Sequence, residues 1–256
     1  MIYGVVLLAI LAVMLAVGIR QARKVKTSAD FLVAGRRLSV PVLVATLLCS
    51  WIGAGSLFAG AEFAFKEGLA SLWLPAGGWA GLVVIYFLAG RARKFAQFTI
   101  PDLLETRYGT GARVMGTLCI IVSYTAIVSY QFKAGGRILQ LAFGIGEERG
   151  MLIVACFVIA FTAMAGMSSV AYVDLVVGTV ITVGCLFMFP ALLDSAGGWS
   201  GVQQSLPASH FTLFGTMSAF EALGYFLPVF MLLLGNQSMY QKFFAARSER
   251  DARLSV

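Results

Sequence analysis

From Pro41 to Ala61 the chain runs twenty-one residues without one charged side chain, and from Ile2 to Ile19 it does so for eighteen. A bilayer's hydrocarbon core, about 30 Å thick, takes about 20 apolar residues of helix to cross. Backbone polar groups there must be satisfied internally, which leaves helices as the form such runs take. Seven spans are expected on this measure, at 2–19, 41–65, 69–90, 112–142, 150–165, 168–193 and 214–236. Only Gly166 and Met167 separate the fifth from the sixth. One helix from 150 to 193 would be far too long for the membrane, so a tight hairpin is expected at Ala165-Gly166. The first span has no small-residue cleavage site before its basic flank and reads as a retained helix, not a signal peptide. Composition agrees, with 59% hydrophobic and 12% charged residues and a mean hydropathy of +0.88, where a soluble domain carries about 25% charged residues. Nucleic-acid binders, disordered tails and cytosolic enzymes are excluded.

The net charge of +7 matters through its distribution, because cytoplasmic loops collect lysine and arginine. Residues 20–40 hold six of them, 91–113 five and the tail four, whereas the alternate segments hold only Lys66, Lys133, Arg137 and Arg149. The expected topology places the N-terminus outside and the C-terminus in the cytoplasm.

Chemistry-bearing residues are sparse. The single histidine, His210, has no cysteine or histidine partner at metal-ligand spacing, which argues against a metal or haem enzyme. Cys49, Cys119, Cys156 and Cys185 each fall within a span and read as small apolar fillers. Glu62 is expected beside Lys66 at the interface, Glu221 at an outer end beside the headgroups, and Asp174 either at the interface or facing an interior. No acid–base pair suited to hydrolysis emerges, so no enzyme is expected.

The densest signal is GAGSLFAG at 53–60. Small residues at this spacing allow close helix packing. Yet Gly53, Gly55 and Gly60 with Ser50 and Ser56 crowd eleven residues, and each glycine costs about 1 kcal/mol of helix propensity relative to alanine. A break in mid-membrane is expected, and such breaks form the ion and substrate sites of secondary transporters.

Four segments, in order, resemble the sodium/solute symporter family. DFLVAGRRLS (30–39) is similar to that family's Asp-Phe-x-x-Ala-Gly-Arg loop. CSWIGAGSLFAGAEFAFKEG (49–68) resembles its second helix, in the Trp-aliphatic-Gly-small-Gly form of the choline-transporter branch. FTIPDLLETRYG (98–109) is similar to its Thr-hydrophobic-Pro-Asp/Glu segment, and LGNQSMYQKFFAARS (234–248) to its Asn-Gln-x-x-x-Gln-Arg-x-x-x-Ala element.

The resemblance implies an all-α polytopic membrane protein with a leucine-transporter-like 5+5 core. Residues 1–40 would form an extra helix and loop, 41–193 the first five-helix repeat, and 194–256 the first helix of the second repeat with a cytoplasmic tail. It implies Na+ as coupling ion, held by main-chain carbonyls at Cys49 and Ile52, with Asp174 near its path although Val173 stands where the family has threonine. Substrate contacts would come from Trp51, Gly53, Gly55 and Ser56, and from Leu232, Asn236 and Gln237. An aromatic such as Trp51 beside freed carbonyls suits a cationic or amphipathic solute. The expected function is sodium-coupled symport of a small organic solute across a bacterial inner membrane.

Family members have about thirteen helices, and the hydroxyl ligands that complete their sodium site belong to a later helix than any here. The chain therefore reads as truncated and inactive alone, or as completed by a second chain supplying the missing helices. The alternative is a membrane sensor or partner subunit built on the same bundle.

Overall fold

The computed structural model describes residues 2–95 and 98–256. Among the described residues the chain is helical, with no strand beyond an isolated bridge between Leu38 and Ala246. Helix α1 spans Ile2–Ala22, α2 Ser28–Val33, α3 Val40–Trp51, α4 Gly60–Glu67, α5 Trp73–Phe95 and α6 Ile100–Tyr108. Then follow α7 (Thr110–Phe143), α8 (Glu147–Ser195), α9 (Gly198–Ser205), α10 (Ala219–Leu234), α11 (Gln237–Ala245) and α12 (Glu249–Leu254).

Among the described residues, five stretches are long and apolar enough to cross a bilayer: Gly4–Ala22, Gly55–Phe95, Thr110–Phe143, Gly166–Ser195 and Ala219–Ala245. The second has 41 residues, about 60 Å at 1.5 Å per residue, but Gly68 at φ 59° ends α4 inside it. Gly166 divides α8 in the same manner. Its φ of 62° and ψ of −176° belong to a region open essentially to glycine alone, and a Cβ there would meet Phe31. The division expected at Ala165-Gly166 is thus made by one residue. The arm of α8 before it, expected as 150–165, is not among the five long stretches.

Capping accounts for several charges that hydropathy alone leaves unexplained. Thr27 and Asp30 form a reciprocal box that starts α2, and Thr99 with Asp102 does the same for α6. Asp30 takes hydrogen bonds from the Thr27 hydroxyl and from the amides of Lys26 and Thr27, which hold its carboxyl below the usual range. Glu221, expected at an outer end beside the headgroups, is exposed and accepts from the Ser218 amide at 2.7 Å. The Glu221 amide in turn donates to the Ser218 hydroxyl, and this reciprocal box fixes where α10 begins. Glu62 does pair with Lys66, at 2.7 Å on an exposed surface.

The core lies at the end that carries the basic loops. Val33, Leu38, Leu43, Ile85, Leu233, Met239, Phe243 and Phe244 are buried there in one cluster around α11. Strand-like bonds from Leu38 N to Ala245 O and from Arg247 N to Leu38 O tie the 34–39 loop to the end of α11. Arg93 on α5 donates to the Ala246 carbonyl at 2.6 Å. Elsewhere large apolar side chains such as Leu141, Phe187 and Phe220 face outward, as hydrocarbon solvation permits. α10 packs on α5, and α1, α3 and α7 all pack on α8.

Candidate ion and solute site

The span expected at 41–65 is two half-helices. α3 stops at Trp51, Ile52 is extended at φ −89° and ψ 106°, and a π-helical turn at Gly55–Ala59 leads into α4. In a continuous helix the Gly53 and Ala54 amides would bond to the Cys49 and Ser50 carbonyls. Here Gly53 N donates to Ser56 Oγ at 2.9 Å, and Ala54 N to Gln131 Oε1 on α7, also at 2.9 Å. The Cys49 and Ser50 carbonyls are thereby released. Ser56 Oγ also donates to Gly53 O at 3.0 Å, so this hydroxyl closes the turn that replaces helical bonding.

A second break lies between α10 and α11. Gly235 and Asn236 leave helical geometry, and Asn236 caps α11 by accepting from Met239 N at 3.0 Å. Tyr124 on α7 braces it, accepting from Ser238 N at 3.0 Å and donating to Asn236 Oδ1 at 3.3 Å. The span expected at 214–236 therefore starts at Ala219 and continues past the break to Ala245. Pro228, inside α10, frees a further carbonyl one turn back.

Both breaks line one cavity of about 930 Å³. Trp51, Gly53, Gly55 and Ser56 from the first and Leu232, Asn236 and Gln237 from the second all face it. Ser50, Ser123, Tyr124 and Gln131 add polar groups, and Phe63, Leu72, Ile120 and Val229 apolar ones; no lining residue is charged. Gln237 is already engaged, since its Oε1 accepts from Ile100 N at the start of α6 at 2.7 Å. Asn236 and Ser56 are likewise committed through one oxygen each. These side chains shape the breaks and keep only their remaining valences for a ligand.

Cys49, Ile52 and Asp174 are not cavity-lining. Asp174 sits behind α3, accepts from the Thr46 hydroxyl, and offers its backbone carbonyl to Cys49 Sγ at 3.3 Å. It is partly buried there, against α3. Cys119 lines the cavity and, with Cys156 and Cys185, is exposed, so these three are not core fillers: they lie on surfaces that packing within these residues does not cover. Gln131 and Tyr124 went unrecognised in the sequence, although both are polar residues deep within an apolar run, which is itself a signal. The charge pattern along the chain groups Lys242 with the basic tail. The residue is buried, at 6% exposure, and it donates to Thr46 O at 2.7 Å and to Ser50 Oγ.

A helical membrane bundle in which two spans break toward a shared, uncharged polar cavity has the architecture of secondary transporters. The sodium:solute symporter family model matches residues 31–253, and the chain belongs to that family. It is 30% identical over 210 residues to the sodium/pantothenate symporter of Escherichia coli K12, covering 78% of this chain and 43% of that one. To a sodium/proline symporter of Staphylococcus aureus it is 26% identical over 180 residues, 63% of this chain and 35% of the relative. The fold matches that of a Na+-coupled sialic acid symporter with a TM-score of 0.84 at 16% identity, over the whole of this chain and 55% of the other. The chain thus spans about half the length of these relatives, or less.

Proposed function

We propose that these residues form the ion-binding and solute-binding half of a sodium-coupled symporter for a small organic solute. The remaining helices of the fold, in the same polypeptide or a second chain, would complete the transport unit. The observation that carries this reading is the release of the Cys49 and Ser50 carbonyls at the end of α3, beside a cavity that a second broken helix also enters. Sodium must exchange hydration water for several protein oxygens, and bare carbonyls at a helix C-terminus supply them with the favourable end of the helix dipole. Ile52, extended between the half-helices, and the Asp174 carboxylate behind them belong to the same reading. The ion would enter down its gradient, bind at this break and stiffen it, and so favour solute in the adjoining cavity.

An uncharged lining of serines, Gln131, Tyr124 and Asn236 opposite Trp51 and Phe63 favours a solute with hydrogen-bonding and apolar parts. Pantothenate and proline, the solutes named for the relatives, are both of this kind. The basic loops at 20–40 and 91–113 and the tail would face the cytoplasm of a bacterial cell, leaving the N-terminus outside.

The test has two arms. In the first, the full chain is purified in detergent and its tryptophan fluorescence titrated with sodium and then with potassium, because Trp51 abuts the break. In the second, uptake of labelled pantothenate and proline into vesicles holding a completed transporter is measured under the same exchange. Sodium-specific quenching and sodium-dependent uptake are expected. Identical responses to potassium would refute the proposal.

A further inference from the structure

Lys242 has no task in the ion or solute steps above, yet it is among the few fully enclosed polar side chains of the bundle. It stands on α11, about one and a half turns past the second break, on the side of the basic loops. Its ammonium donates to the Thr46 carbonyl at 2.7 Å and to the Ser50 hydroxyl. Ser50 in turn donates to the same Thr46 carbonyl at 2.8 Å. The Thr46 hydroxyl donates onward to Asp174 of α8, and Cys49 donates to the Asp174 backbone. One charge therefore joins the last two turns of α3 to α11 and, through Thr46, to α8. Such a charge is costly to bury unless its partners hold it closely, so the three elements are expected to stay together or part together.

We propose, on the strength of the symport reading, that Lys242 is the positioning residue that keeps the passage from the cavity to the tail-side face closed. The cluster is the floor beneath the break. Ser50 lines the cavity above, while Thr46, one turn lower, is fully buried. A ligand that leaves the cavity toward the tail between α3 and α11 must separate those helices, and that movement withdraws the ammonium from both of its acceptors. Because Ser50 is also one of the two residues whose carbonyl the break releases, a shift of α3 at the ion site is transmitted directly to this contact.

The experiment uses the full chain with Cys119, Cys156 and Cys185 changed to serine, so that Cys49, one residue from Ser50, is the sole thiol. A charged, membrane-impermeant methanethiosulfonate is applied to vesicles of either orientation. Lys242→Met keeps most of the side chain's bulk without its charge, and Lys242→Arg restores the charge. Labelling of Cys49 from the tail side should rise about tenfold in the methionine variant and return toward the parent rate in the arginine variant. Labelling from the opposite face should be unaffected. An unchanged tail-side rate, or an equal rise from both faces, overturns the proposal, the second because it reports general loosening. If the methionine variant does not fold, Ser50→Ala removes one of the two acceptors and should still raise tail-side labelling, and no rise there overturns the proposal equally. Sodium in place of potassium should lower tail-side labelling of the parent. Its failure to do so would count against symport while leaving the Lys242 comparison readable.

Discussion

Replacing Gln131 with leucine tests the break most directly. The Gln131 side chain crosses from α7 to accept the Ala54 amide at 2.9 Å, standing in for the helical acceptor that α3 no longer offers. Ala54 is only 7% exposed, so leucine, similar in volume but without an acceptor, would leave that amide bare where water reaches it poorly. A buried amide left without its partner costs about 1–3 kcal/mol, equivalent to about 5- to 150-fold in an opening equilibrium. Hydrogen exchange followed by mass spectrometry on a peptide spanning 49–60 reads this as faster exchange of the same order. Gln131→Glu is the control, since a carboxyl group retains an acceptor oxygen in either protonation state, and it should exchange close to the parent. Exchange in the leucine variant within about twofold of the parent, or an equal acceleration in both variants, would refute the assignment of Gln131 as the bond that holds the break open.

Other predictions follow from the same geometry. Gly53→Ala places a methyl against the Gln131 amide, so it should accelerate exchange at 49–60 much as Gln131→Leu does, and the double variant should fall well short of additivity. Gly55→Leu adds bulk where a Cβ meets nothing within 4 Å, so thermal stability in detergent should be retained while solute binding, measured by labelled-ligand retention, falls steeply. Gly166→Ala combines φ 62° with contact against Phe31 and should lose about 1–3 kcal/mol in detergent unfolding. The Asp30 carboxyl is depressed below its ordinary 3.8 by the Thr27 hydroxyl and the adjoining amides. Its contribution is therefore present above that value and lost as pH falls through the depressed one, so the melting-temperature gap between parent and Asp30→Asn should close at the acid end of a pH series.

Uninterrupted apolar runs of about 20 residues dictate a helical membrane chain because a run of that length satisfies its own backbone in hydrocarbon as a helix, and GAGSLFAG located the first break because glycine weakens a helix wherever it stands. Those are local properties, and one strand of sequence carries them completely. Trp51, Gly53, Gly55, Ser56, Leu232, Asn236 and Gln237, which face the cavity, were also legible, through segments whose order along the chain resembles a family, whereas Tyr124 and Gln131 on α7 were not. What each side chain does with its oxygens was not: Asn236, Gln237 and Ser56 spend one apiece on helix ends and turns, and Glu221 caps α10. Lys242 shows why. By position it belongs with the basic tail, and only the approach of α11 to α3, residues almost two hundred apart, turns it from a solvated charge into a buried one. Gln131 meets Ala54 across seventy-seven residues for the same reason. Hydropathy and helix propensity act between neighbours in sequence, whereas the partner that a polar group finds inside a bilayer is set by which helices come to lie side by side.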